Sequence, residues 1–514
     1  MQARGWIFLA VVVGCSSNAT ESGVASLEPG GTTAPPITLA DGGTIPPGVD
    51  SSGDGGAEVD AGPPAPTYKH YDINHVLSTG ASDSVANGAS EWITATQPFG
   101  NLSFDVGVMT AGSCNGDGCT VYETPKGFVP LHEGDRFFGY GVETMSSGLA
   151  NQATVFAKDY FARVGLPAVQ HDVLVSLHGR SGNSYWCLRL QTANVNAGYG
   201  PCYFPMSAGY IAPFDEALRQ VQSAKALAES AGKSYVVRAV TAIHGQGESD
   251  SNEQNFGFLL STDEEHRPLR NYTDALLDWQ WDYETKVREI TGQTEPLPMF
   301  VSQFGTMTTD TSIIPQRQLD AHTSSNGKVI LVAPNYPFPP YKDCNHYLPH
   351  SQRWLGAQVA KAYQRVVVEG GKWDPTRPIA ITRTGNVLTV KYVVPVPPLV
   401  IDTERVSALT DGFATKPFYG FIYRDSTMSA SVTNVAVTAP DTVTVTLSAE
   451  PTGTDKVLRY AYESQTADRR CPGPEKGARG NIRDSDPTLA YHTDAAGKPY
   501  ELFNWSVAYE MPVP

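Results

Sequence analysis

Two periodicities predict an α/β domain whose parallel sheet is covered by helices on both faces, followed by a smaller all-β domain. Between residues 72 and 368, short apolar runs alternate with longer segments whose apolar residues recur every three to four positions, the pattern of βα units. From about Arg377 the period falls to two and turn residues separate the runs, the pattern of antiparallel hairpins. At 514 residues and 41% hydrophobic content the chain can bury both cores, and two domains are the natural expectation.

Taken in order, Asp72 to Ser78, Asp172 to Leu177, Tyr235 to Ile243, Met299 to Gln303 and Lys328 to Val332 read as five strands. Helical patterns follow at Phe214 to Ala231, Asn271 to Thr291 and Ser351 to Val368. Strands connected through helices make a parallel sheet, and sites in such sheets gather at the strands' carboxyl ends. In the second part, Ile379 to Arg383 and Val387 to Tyr392 flank Thr384-Gly385-Asn386, a hairpin signal. Val432 to Val437 pairs with Val443 to Leu447, and Val457 to Tyr462 follows, which suggests a β-sandwich. The expected boundaries are a signal at 1–15, a linker at 16–67, the α/β domain at 68–372 and the β domain at 373–514.

The net charge of −16 argues against nucleic acid, because no basic surplus exists to displace counterions from phosphates. Residues 1–15 have the form of an export signal, with Arg4 ahead of an apolar stretch too short to span a bilayer. Val12-Val13-Gly14-Cys15 resembles a bacterial lipobox, which implies lipidation of Cys15, a membrane anchor and an outer-membrane or cell-surface location, with a periplasmic or secreted protein as the alternative. Residues 16–67 are Gly, Pro, Ser, Thr, Ala and Asp with no apolar period, and read as a flexible tether. Six cysteines follow Cys15, and in an exported chain they point to disulfides. Proximity suggests Cys114 with Cys119 and Cys187 with Cys202, leaving Cys344 with Cys471, one of fifteen possible connectivities. Metal binding is the rival use, but C-x-x-C pairs and clustered histidines are lacking in the sequence.

Three distant segments carry the residue types of an ester hydrolase: Gly80-Ala81-Ser82, the string HGQGESD from His244 to Asp250, and Asp343-Cys344-Asn345-His346. Such chemistry needs a serine activated by an imidazole, a carboxylate that orients the imidazole, and donors for the oxyanion. Ser82 follows the first strand at an expected helix start, competing with Ser78 and Ser84. Asp343 and His346 are spaced so that the carboxylate can reach Nδ1 in a turn. Glycines on both sides of Gln246 let the backbone approach a substrate while the side-chain amide donates. Glu248 reads as a buried carboxylate that pins backbone N–H groups, and His350 as a residue at the start of the last helix.

The order and content of these blocks resemble the SGNH hydrolase superfamily, and the central QGE resembles its sialate O-acetylesterase and acetylxylan esterase branch. Ala81 stands where that family has a polar residue, His244 where the branch has tryptophan, and Ser351 where a glycine is usual. The resemblance covers roughly residues 70 to 370. It implies a three-layer, flavodoxin-like catalytic domain, no cofactor, and a Ser82, Asp343, His346 triad. It also implies an oxyanion hole of Ser82 N–H, Gln246 and a glycine after the second core strand, for which Gly182 is the candidate and Gly179 the reserve. The implied substrate is an acetylated carbohydrate, cleaved through an acyl-enzyme. A general carboxylesterase or lipase, and an inactive carbohydrate-binding surface protein, are the alternatives.

Overall fold

The computed structural model describes residues 68–110, 122–133, 141–190, 211–246, 248, 269–304, 313–408, 418–462, 473–475 and 477–514. The signal, the tether, Cys15, Cys114, Cys119, Cys202 and Cys471 lie outside the described residues.

The first part is built on strands β1 (Ile73–Gly80), β2 (Leu102–Phe104), β3 (Phe128–Pro130), β4 (Val173–Leu177), β5 (Tyr235–Ile243), β6 (Met299–Gln303) and β7 (Val329–Pro334). They form one sheet in the order β3-β2-β4-β1-β5-β6-β7, with only the β2–β3 pair antiparallel. The five long strands therefore run in the order 2-1-3-4-5 of doubly wound sheets. Every residue of β1, β4, β6 and β7 is buried, which is why these strands read as continuous apolar runs. Among the buried polar residues, His75 in β1 is held by Tyr235 OH at 2.7 Å and Ser176 Oγ at 2.8 Å.

Helices α1 (Ser146–Arg163), α2 (Tyr185–Leu188), α3 (Pro213–Ser230), α4 (Tyr272–Thr291), α5 (Ile314–Ser324) and α6 (Pro349–Tyr363) complete this part. Val76, Val175, Phe300 and Val332 pack with α1 and α6 on one face, while Leu77, Val237, Val240 and Val301 pack with α3 and α4 on the other. α4 is bounded as its sequence predicts: Asn271 accepts from Asp274 N–H at the start, and Gly292 closes the end in the left-handed conformation. The last helical pattern ends in a π-helical turn at Gln364–Val368.

α1 is absent from the sequence expectation, for a physical reason. Its first half, Ser146 to Ala153, is buried all round and consists mostly of small and polar residues, so no apolar stripe marks it. These small residues allow close approach to α6. A Cβ on Gly148 would strike the carbonyl of Arg353, and one on Gly356 would strike that of Met145. The α1 N-terminus carries no side-chain cap of its own, and Glu133 supplies one by accepting from Ser147 N–H at 2.8 Å.

The second part contains β8 (Arg377–Thr384), β9 (Val387–Val393), β10 (Val400–Ile401), β11 (Phe421–Arg424), β12 (Val432–Ala439), β13 (Thr442–Leu447), β14 (Val457–Tyr460), β15 (Ile482–Arg483), β16 (Leu489–Thr493), β17 (Pro499–Glu501) and β18 (Tyr509–Pro512). The antiparallel sheets β12-β13-β9-β8 and β11-β14-β18 share one core through Leu388, Val390, Val443, Val445, Phe421, Leu458 and Tyr509. Gly385 makes the expected β8–β9 turn at φ +59°.

The two parts belong to one compact unit, Ala65–Pro514. Buried polar pairs join them: the Gln303 side chain accepts from Ala508 N–H at 2.7 Å and donates to Ala508 O at 2.8 Å. Tyr336 OH donates to Ser506 O at 2.8 Å, and Lys361 pairs with Asp486 at 3.0 Å. The β16–β17 hairpin lies on α6, where Trp354 stacks on Tyr500 and Arg353 donates to Thr493 O.

Candidate active site

Three strands meet at the site through glycines. At φ +132°, Gly80 ends β1 so close to β5 that a Cβ would overlap the Ile243 carbonyl. Gly179 lies against Ser84 Oγ and the Gly80 backbone, where no side chain fits. The segments after β1, β4 and β5 therefore emerge side by side, carrying Ser82, Gly182 and Gln246.

Ser82 does not begin a helix, contrary to expectation. Residues 82–88 form successive turns, with Ser84 N–H on Ala81 O and Asn87 N–H on Ser82 O, and the next helix among the described residues starts at Ser146. Any stabilisation of an oxyanion here comes from individual N–H groups. Among the described residues, the backbone N–H groups of Ser82 and Gly182 make no hydrogen bond, and Gly182 sits at φ +72°. The Gly182 turn is tied to the serine loop by Asn87 Nδ2, which donates to Ser181 Oγ at 2.8 Å.

The turn before α6 supplies the pair Asp343 and His346. Asp343 Oδ2 meets His346 Nδ1 at 2.6 Å, while Oδ1 accepts from the backbone N–H groups of Asn345 and His346. Burial raises the Asp343 carboxyl, but these bonds outweigh it and hold it below the usual carboxylate range. Cys344, between them, has φ +64° and is disulfide-bonded, as is Cys187; every other cysteine lies outside the described residues. His346 packs on the serine loop. A Cβ at Gly88 would lie 2.9 Å from His346 Cβ, and Gly88 itself is at φ +82°.

The three blocks are thus brought together, with one difference in the role of Gln246. Its Nε2 donates to Asp83 Oδ2 at 2.6 Å and to Asn345 O at 3.0 Å, and its Oε1 accepts from Ser82 Oγ at 3.3 Å. In this arrangement Gln246 faces the serine as an acceptor, where the sequence leads one to expect a donor. The Ser82 hydroxyl is bonded to Gln246, and no hydrogen bond joins it to His346 among the described residues. Catalytic hydrogen bonds commonly tighten only when substrate is bound.

The remaining described motif residues have structural bonds, and Gly247, Ser249 and Asp250 lie outside the described residues. Glu248 Oε1 accepts from Tyr185 N–H at 2.7 Å, and His244 bonds Tyr272 OH at 2.6 Å. His350, on the first turn of α6, bonds Tyr500 OH at 2.7 Å. Asp83 was missed by the sequence reasoning. Its signal was a carboxylate directly after the serine in a loop of otherwise small and neutral residues.

No protein-family model matches the chain, and no curated protein does. Among solved structures it is similar to a carbohydrate acetylesterase from Xanthomonas citri, with 13% identity, TM-score 0.43, and coverage of 85% of this chain and 80% of that one. It is also similar to a protein from Arabidopsis thaliana, with 11% identity, TM-score 0.31, and coverage of 57% and 99%. The chemistry is therefore read from the side chains alone.

Proposed function

We propose that the chain is a serine esterase that removes acetyl groups from carbohydrate esters, on a three-layer SGNH-type catalytic domain with a C-terminal β-sandwich. The observation that carries this is that one amide, Gln246, bonds both Ser82 Oγ and the Asn345 carbonyl of the turn that holds the Asp343–His346 pair. The pair is joined at 2.6 Å, and His346 lies against Gly88 of the serine loop.

In the proposed cycle the Ser82 hydroxyl turns from Gln246 to His346 Nε2. Ser82 Oγ attacks the ester carbonyl as the imidazole takes its proton, and Asp343 fixes the ring and balances the imidazolium. The Ser82 and Gly182 N–H groups face the oxyanion. His346 returns the proton to the leaving sugar oxygen, and water, activated by the same imidazole, releases acetate from the acyl-enzyme. Gln246 joins as a donor only if its amide turns over, which breaks its bond to Asp83.

Hydrolysis of p-nitrophenyl acetate tests the esterase itself, and its absence in the folded protein favours a binding protein without activity. An acyl-chain series separates an acetylesterase, whose rate falls steeply beyond acetyl, from a lipase, whose rate rises. Acetylated xylan, mannan, pectin and sialic acid then define the sugar. On the cell side we propose anchoring through a lipidated Cys15, tested by release of the Cys15→Ser protein from membranes.

Asp343→Asn is expected to lower kcat about ten-thousandfold, because an amide cannot hold the required imidazole tautomer. The same carboxylate has a stability signature. Its folded value is depressed below 3.8, so its contribution is complete above the unfolded value and is lost as the pH falls through the folded one. The difference in melting temperature between wild type and Asp343→Asn should be present at neutral pH and vanish in strong acid.

A disulfide from Cys344 to Cys471 would clamp the triad turn to the C-terminal part. Cys471→Ser should then reduce kcat more than a remote surface change, since a misplaced catalytic group is costly. Non-reducing peptide mapping that joins Cys344 to another cysteine contradicts the clamp and leaves the triad standing.

A further inference from the structure

We propose that Asp83 is a positioning residue which, by taking the Gln246 amide N–H, sets the carbonyl oxygen of that amide on Ser82 Oγ and fixes the resting direction of the serine hydroxyl. This rests on the esterase assignment above.

The geometry leaves Gln246 little choice. Its Nε2 lies 2.6 Å from Asp83 Oδ2 and 3.0 Å from the Asn345 carbonyl, both acceptors. Turning the amide over would set its oxygen against both, so the N–H group stays there and Oε1 stays on Ser82 Oγ at 3.3 Å. Asp83 is itself immobilised. It is 2% exposed, and its backbone carbonyl accepts from Gln352 Nε2 of α6 at 2.8 Å. Asn345 belongs to the turn that carries His346. One amide thereby ties the serine loop, the segment after β5 and the histidine turn into a single hydrogen-bonded unit.

Burial pushes the Asp83 carboxyl well above the usual range, the Asp343 charge adds to this, and the N–H groups of Gln246 and Tyr347 oppose it. A neutral Asp83 that carries its proton on Oδ1 still accepts at Oδ2. What Asp83 supplies is an acceptor at a fixed point, which asparagine can also provide.

The test is a double-mutant cycle on p-nitrophenyl acetate with wild type, Asp83→Ala, Gln246→Ala, the double variant and Asp83→Asn. Each alanine variant should lower kcat about a hundredfold with little change in KM, because the serine loop and the histidine turn are then no longer tied by the one amide and the catalytic groups lose their alignment. The double variant should be no slower than either single one, and Asp83→Asn should recover to within about tenfold of wild type. Asp83→Leu replaces Asp83→Ala in the cycle if the latter does not fold. A kcat for Asp83→Ala at or above wild type overturns the proposal, because it means Gln246 works as a donor once released. Losses that multiply in the double variant, or an asparagine variant as slow as alanine, overturn it too. Full activity of Ser82→Ala would instead overturn the esterase assignment beneath it.

Discussion

Ser82→Ala is expected to lower kcat on acetyl esters by about a million-fold while leaving the fold intact, the scale seen when a triad nucleophile is deleted. The side chain is a single hydroxyl in a turn whose backbone bonds, Ser84 N–H to Ala81 O and Asn87 N–H to Ser82 O, do not involve it. Ser84→Ala makes the comparison. Its hydroxyl donates to Ala81 O at 2.6 Å, a local contact within the turn. Loss of that bond should cost on the order of 1 kcal/mol of stability and leave the nucleophile in place. Initial rates of the two variants, with far-UV circular dichroism as the check on folding, decide between them.

Gly148→Val is expected to be the most destabilising of the substitutions considered. A side chain there meets the Arg353 backbone carbonyl, and backbone cannot rotate aside. Overpacking of this kind costs typically 1–3 kcal/mol and sometimes more, and here about 3 kcal/mol or more is expected because two helices must part. Chemical denaturation measures it, with Gly127→Val as the comparison, since a Cβ at Gly127 meets nothing within 4 Å. The effect should reach the site. α6 starts three residues after His346, so separating α1 from α6 moves the histidine turn and lowers kcat in whatever fraction still folds. Normal stability in Gly148→Val would contradict the close approach of the two helices.

The five long parallel strands were legible in the sequence because strands buried on both faces are mostly apolar, and α4 because Asn271 and Gly292 mark its ends. α1 was not legible, since it buries small and polar residues against another backbone and presents no stripe. β2 and β3, three residues each at the sheet edge, are too short for any period to show. The joining of the two parts was equally hidden. Gln303, Tyr336 and Lys361 look like ordinary polar residues until their partners, 125 to 205 positions away, are in place.

The site divides in the same way. Ser82, Asp343 and His346 could be named because nucleophilic chemistry restricts residue types and the Asp–His spacing suits one turn. The direction in which Gln246 turns its amide could not, because Asp83 and the Asn345 carbonyl decide it and both come from other segments. Nor could the absence of a helix after Ser82. Serines and small residues there suit an N-cap and a series of turns equally well.

The most direct measurement of the central claim is covalent labelling with a fluorophosphonate, followed by intact mass and peptide mapping. A serine made nucleophilic by His346 should take up one equivalent on Ser82, with acetyl-ester hydrolysis lost in step with labelling. His346→Ala should abolish both. An adduct on another residue with full loss of activity, or a fully active protein whose Ser82 is never labelled, would contradict Ser82 as the nucleophile.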